Sequence, residues 1–218
     1  MMNPSVLPLS TQVPLTDATF KEATWDYVQN TVTATDKWGD IGAWDVSDIK
    51  DFSFAFSKHR NNAGGSYASA NFNNKVADFV GTGMSKWITT SVTSLDSTFY
   101  GSSAMNADLS KWSVAKVATM KKTFYRAGGI NADLSKWSVA MVTTMEGTFH
   151  YASKFTGAGL DLWDVSKVTN MGSTFDSATS LTACSKRKIA DAWKGNSVFV
   201  ATTYDTDWAG ATCPVRLE

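Results

Sequence analysis

His59 and His150 are the only histidines, and Cys184 and Cys213 the only cysteines, in this chain of 218 residues. A zinc site draws three or four ligands from Cys, His and carboxylates at close spacing, and neither histidine has such company. A hydrolytic triad needs a histidine held against a nucleophile and oriented by an acid; no stretch of the sequence supplies that trio. A carboxylate pair of the kind that cleaves glycosidic bonds is nowhere marked. Asp108 and Asp133 stand at equivalent places in two near-identical segments, as do Asn106 and Asn131. Stacked carboxylates of this kind can hold calcium, yet Gly83 and Gly159 occupy the aspartate position in other copies, and no EF-hand spelling occurs. The expected role of the asparagines is a side-chain ladder that satisfies backbone groups at turns. The sequence therefore points away from catalysis, metal and cofactor, and towards binding.

Three lysines carry the binding reading. Lys86, Lys111 and Lys136 each precede a tryptophan, and like charges at a regular interval along one face repel unless an acidic partner meets them. A Gly/Asn/Ser-rich stretch that includes Asn61, Asn62 and Tyr67 reads as a protruding loop beside them. Loops on rigid scaffolds often carry recognition. The formal net charge of zero argues against binding nucleic acid by phosphate neutralisation. No apolar run reaches the roughly 20 residues that span a bilayer. Met1 to Pro14 has neither a basic segment nor an apolar centre, so no export signal is expected within it.

What positions these residues is a repeat. Trp44, Trp87, Trp112, Trp137 and Trp163 head five copies, with a clean period of 25 residues between the third and fourth. Three residues before each tryptophan come Ile41, Met84, Leu109, Leu134 and Leu160; five after come Ile49, Val92, Val117, Val142 and Val168. Eight after come Phe52, Leu95, Met120, Met145 and Met171, and twelve after come Phe56, Phe99, Phe124, Phe149 and Phe175. These apolar columns, tryptophan included, predict the core. Trp-x-Val has the period of a strand. The apolar residues that follow are spaced three and then four apart, which predicts one face of a short helix. Asp51, Ser94, Thr119, Thr144 and Asn170, just before that run, all suit a helix N-cap. Thr98, Thr123, Thr148 and Thr174 then fall on its solvated side.

The expected fold class is an α/β repeat protein. It is a leucine-rich-repeat-like curved solenoid with one short parallel strand and one short helix in each rung of about 25 residues, because a lone rung cannot bury its own apolar edge. Strands pack closer than helices, so the strands should line a concave side. The domain reading is an N-terminal helical cap at 1–37, five rungs at 38–183 with a long insertion at about 57–84, and a C-terminal helical cap at 184–218.

The spelling Trp163-Asp164-Val165-Ser166-Lys167-Val168-Thr169-Asn170-Met171 followed by Phe175, and Trp44-Asp45-Val46-Ser47, resembles the BspA-like leucine-rich-repeat surface proteins. The resemblance implies a secreted or cell-surface location and, in some members, adhesion. The expected function is a non-enzymatic binding or adhesion module that recognises an extracellular protein or glycan. The alternatives are a structural spacer without a ligand and, third, a polysaccharide-acting enzyme. Both cysteines lie in the C-terminal segment, where a cap must be held over the last rung. A Cys184–Cys213 disulfide is therefore expected, and with it an oxidising compartment.

Overall fold

The computed structural model describes residues 14–61 and 73–213. Two helices open it. α1 (Asp17–Gln29) is capped by Thr16, and α2 (Thr31–Trp38) by the Asn30 side chain. Three more close it: α3 (Ala183–Trp193), α4 (Ser197–Val200) and α5 (Thr203–Ala209). Between them the five tryptophan repeats stack as coils built almost wholly of turns.

The strand-and-helix rung expected from the spacing does not form. Among the described residues there is no strand beyond isolated parallel bridges, and the repeats hold no α-helix. The leucine-rich-repeat solenoid, with a strand in every rung, is therefore set aside.

The reason lies in where each N–H goes. A helix would send every amide back four residues. Here alternate amides leave the rung. Met120, Lys122, Phe124 and Arg126 donate to the carbonyls of Thr144, Glu146, Thr148 and His150 in the next rung. The amides between them, on Thr123, Tyr125 and Ala127, close three-residue turns on Met120, Lys122 and Phe124. Such a path requires left-handed backbone every fourth residue, and Lys122 (φ 52°) and Arg126 (φ 56°) supply it in this rung. Residues held left-handed at that interval cannot belong to a right-handed helix. The three-then-four spacing is thus the period of a turn ladder.

Asp51, Ser94, Thr119, Thr144 and Asn170 also take a different role from the one expected. They are the bridge residues that pair rung to rung. Their side chains accept the amide two residues on, as from Ser53 to Asp51 at 2.8 Å and from Gly172 to Asn170 at 3.0 Å. They cap turns, not helices. The threonine column is equally displaced from expectation. Thr98, Thr123, Thr148 and Thr174 are wholly buried, and each hydroxyl donates to a carbonyl of the preceding rung, Thr148 to Met120 at 2.8 Å.

On the Trp-x-Val side, side chains replace the backbone ladder. The indole N–H of Trp112 reaches the Met84 carbonyl at 2.9 Å, that of Trp137 reaches Leu109 at 3.0 Å, and that of Trp163 reaches Leu134 at 3.0 Å. Each occupies an acceptor that a neighbouring strand would have needed. Trp193 of α3 continues the series, donating to Leu160 at 3.2 Å and stacking on Trp163. Phenylalanine rings stack at 5.6–5.8 Å from Phe56 to Phe175. Tryptophan rings stack at 5.9–6.5 Å. Both sides of the stack repeat at nearly the same interval, which removes the premise for a strand-lined concave side.

The ladder is polar along the stack, and the end segments answer its polarity. The first rung presents carbonyls with no rung before them. Lys21 donates to Ser53, and the Arg60 guanidinium donates to Ala55 as well as to Lys21 and Thr24 of α1. Burial lowers the Arg60 pKa to about 10, with Asp26 opposing. Asp17 accepts the Lys50 amide at 2.8 Å and the Asp51 amide at 3.1 Å. At the other end it is amides that lack a following rung. The Tyr204 hydroxyl of α5 accepts from the Phe175 amide at 3.1 Å and donates to Asp176.

Candidate functional site

The residues on either side of each tryptophan face outward. Ala43, Asp45, Lys86, Ile88, Lys111, Lys136, Ser138, Leu162 and Asp164 are exposed, and Ser113 is half-buried. Extended backbone at Trp44, Trp87 and Trp163 gives the alternation that a strand would have given. Lys86 ends a short 3₁₀ turn, Met84–Lys86, whose next residue is the buried Trp87. Packing of the indole thus fixes where the lysine emerges.

Lys86 and Lys111 flank one shallow cavity of about 300 Å³, floored by Trp87, Ile88 and Thr89 and closed by Ser113. Thr89 and Ser113 tie the two rungs together. The Ser113 amide donates to the Thr89 hydroxyl at 2.8 Å, and that hydroxyl donates to the Ser113 carbonyl at 3.0 Å. Ile88 stands 60% exposed beside the lysines. Lys136 is outside this cavity. It lies within electrostatic range of Asp108 and Asp133, whose carboxyl pKa values are held low chiefly by hydrogen bonds from Ser110 and Ser135 and then by nearby lysines. Two of the three lysines thus line one cavity and the third lies outside it, while Asp108 feels Lys111 and then Lys136.

Asn61 gives its carbonyl to the Arg60 Nε at 3.1 Å. Asn62 and Tyr67 lie outside the described residues. The inserted segment returns through Asn73, which accepts from Gln29 at 2.9 Å. Asn106 and Asn131 form a rung-to-rung ladder. Asn106 accepts the Asn131 amide at 3.0 Å, and Asn131 accepts the Thr156 amide at 3.1 Å. Among the described residues no group of three or more His, Cys, Asp or Glu is placed to hold a metal ion, and no helix is long and apolar enough to cross a membrane. Cys184 and Cys213 form a disulfide that ties the start of α3 to the chain beyond α5.

Two groups of residues escaped the sequence reading. One is the buried Arg60. The other is the column directly after phenylalanine, Tyr100, Tyr125 and His150, where the rings stack at 4.5–4.6 Å. Its signal was present, since aromatic residues recur there at the repeat interval.

A family model described as Mycoplasma protein of unknown function, DUF285, matches residues 65–188. The chain belongs to the DUF285 family. The match runs from the inserted segment through the later rungs into α3, so it covers the lysine site. No BspA-like or leucine-rich-repeat family is matched, and the resemblance drawn from the tryptophan spelling is corrected accordingly. No curated protein and no solved structure matches the chain. The DUF285 description assigns no activity.

Proposed function

We propose that this DUF285 protein is a non-enzymatic binding module that works in an oxidising, extracytoplasmic setting and recognises an acidic protein or glycan. The observation that carries the reading is the pairing of Lys86 and Lys111 across one cavity with an exposed Ile88 between them. Cations flanking an apolar floor suit a partner that presents carboxylate or sulfate groups on an apolar frame. The Cys184–Cys213 bond supports the setting, because structural disulfides persist where thiols are not kept reduced.

An array of matrix proteins and acidic glycans, probed with the intact chain, supplies the partner. Lys86→Glu with Lys111→Glu should then reduce affinity at least tenfold while the melting temperature stays within a few degrees, and Lys136→Glu alone should do much less. Equal affinity for the double variant and the parent would remove the lysine face from consideration. A spacer role is the second reading, and an array on which the parent binds nothing would favour it.

A further inference from the structure

The interval from Trp44 to Trp87 is the longest in the repeat, and the chain that fills it closes a cavity against the N-terminal cap. Where that chain returns, a 3₁₀ turn, Asn74–Asp78, packs beside α1. Two hydrogen bonds hold the walls together. The Gln29 side chain, at the end of α1, donates to Asn73 at 2.9 Å, and the Lys75 ammonium donates to the Gln29 carbonyl at 2.8 Å. Between the walls lies a cavity of about 270 Å³, with Tyr27, Val28, Phe79 and Val80 as its apolar lining. Tyr27 stands edge-on to Trp44 at 5.9 Å and to Phe79 at 6.3 Å, so its ring is fixed. The far wall turns at Gly81 (φ 83°), where a Cβ would meet Ala107 at 2.9 Å and Met84 at 3.1 Å. Three polar groups of the lining have no hydrogen-bond partner among the described residues: the Tyr27 and Thr82 hydroxyls and the Asp78 carboxylate. Burial first, and then Asp40, raise the Tyr27 pKa, so the phenol keeps its proton. Asp40 itself accepts the Gly42 amide at 2.7 Å.

We propose that this cavity between α1 and the inserted segment binds a neutral sugar ring, through Asp78, Tyr27 and Thr82 around the apolar lining. An anion would face Asp78, with Asp40 near Tyr27, and a cation would face Lys75 on the same turn as Asp78. A neutral ligand meets neither cost. The polar groups that await a partner are two hydroxyls, which donate and accept, and a carboxylate, which accepts. Neighbouring hydroxyls on a sugar ring match that set, and a hydroxyl donated to a carboxylate is the stronger kind of hydrogen bond. The C–H face of the same ring suits Val28, Phe79 and Val80. Small-molecule sites have this make-up, a mostly apolar concavity with a few placed polar groups. The volume lies at the small end of such sites, which begin at about 300 Å³, and so takes one ring, either a free sugar or the terminal residue of a glycan. The inference is independent of the lysine cavity beside Trp87, with which this site shares no lining residue.

The test is NMR titration of the intact protein with glucose, galactose, mannose, N-acetylglucosamine and N-acetylgalactosamine, up to tens of millimolar, beside leucine as a zwitterion, spermidine as a cation and inorganic sulfate as an anion. At least one sugar is expected to move the Val28 and Val80 methyl resonances and the Tyr27 ring resonances, with little dependence on salt. Its affinity should fall at least fivefold in Asp78→Ala and also in Tyr27→Phe, which keeps the ring and removes the hydroxyl. Lys86→Glu with Lys111→Glu should leave it within twofold. A neutral oligosaccharide that ends in the bound sugar separates the two sources: binding as tight as the free sugar assigns the site to a glycan end, exclusion assigns it to a free sugar, and both sustain the proposal. The proposal is overturned if no sugar of the panel moves those resonances, if both variants bind the sugar as the parent does, or if leucine, spermidine or sulfate binds there more tightly than every sugar.

Discussion

Thr148 illustrates how much of this protein is decided by single buried polar atoms. Its hydroxyl reaches carbonyls of two successive rungs, Met120 and Met145, both at 2.8 Å. Valine fills the same space and offers no proton. Thr148→Val is expected to cost about 1–2 kcal/mol, read as a lower urea midpoint, whereas Thr148→Ser retains the bond and should cost less. Trp137 adds an indole bond to its packing, so Trp137→Ala should cost about 3–5 kcal/mol. A Trp137→Ala variant with the parent's midpoint would contradict the buried assignment. The turn aspartates set the acid limit. Hydrogen bonds from the serine two residues on hold the carboxyls of Asp45, Asp108, Asp133 and Asp164 below the ordinary 3.8. The unfolded chain therefore takes up these protons first as the pH falls. Their contribution is full above about pH 4 and is lost as the pH drops through the depressed folded values. The urea midpoint should fall with acid across that window, and less so once Asp133 and Asp164 are both alanine.

At the scale of elements, the end segments work by matching the polarity of the edge they cover. Tyr204→Phe removes the acceptor of the Phe175 amide and the donor to Asp176. Hydrogen exchange at Phe175 should quicken markedly, with the amides of the second and third rungs unaffected; unchanged exchange at Phe175 would show that α5 is held by packing alone. The disulfide acts on the same cap. Closing the segment between Cys184 and Cys213, 29 residues apart, should contribute roughly 3–4 kcal/mol, seen as a lower melting temperature in reductant with two thiols alkylated. Sequence periodicity read one thing here and missed another. It reported which way side chains point: the tryptophan, valine, methionine and phenylalanine columns are buried, and the lysines are not. It did not report where backbone amides go. The Val-Met-Phe spacing suits a helix face, but Gly101 and Gly147 with Ser97 and Ser173 mark the left-handed positions of a turn ladder. The Trp-x-Val alternation suits a strand, but the indole N–H occupies the carbonyl a strand partner would use. The outward placement of Lys86, Lys111 and Lys136 was readable from their spacing. Tyr100, Tyr125 and His150 recur at the repeat interval, but Ser57 and Asp176 hold the same place in the end rungs, so that column does not stand out as apolar.

For the whole molecule, the governing fact is that every rung offers its neighbour the same donors and acceptors. Lys122 donates to Glu146 just as Ser97 donates to Lys121, and Thr148 reaches back to Met120 just as Thr123 reaches back to Leu95. A rung is therefore exchangeable with its neighbour in backbone terms, and stability should approximate a sum over rungs and their interfaces. Removing residues 105–129 joins Ala104 to Ile130 and puts Thr144 opposite Ser94 in the place of Thr119. The Trp137 indole then faces the Met84 carbonyl that Trp112 now uses. The shortened chain is expected to fold, to keep both end caps and the Cys184–Cys213 bond, and to melt at a lower temperature with a smaller unfolding enthalpy. Removing only residues 105–116 shortens the chain by half a rung and sets buried phenylalanine against turn positions, so that variant should not fold. Circular dichroism and calorimetry of the pair decide the matter. A whole-rung deletion that fails to fold, or a half-rung deletion that folds as well, would mean that the stack depends on features particular to one rung and not on the shared ladder.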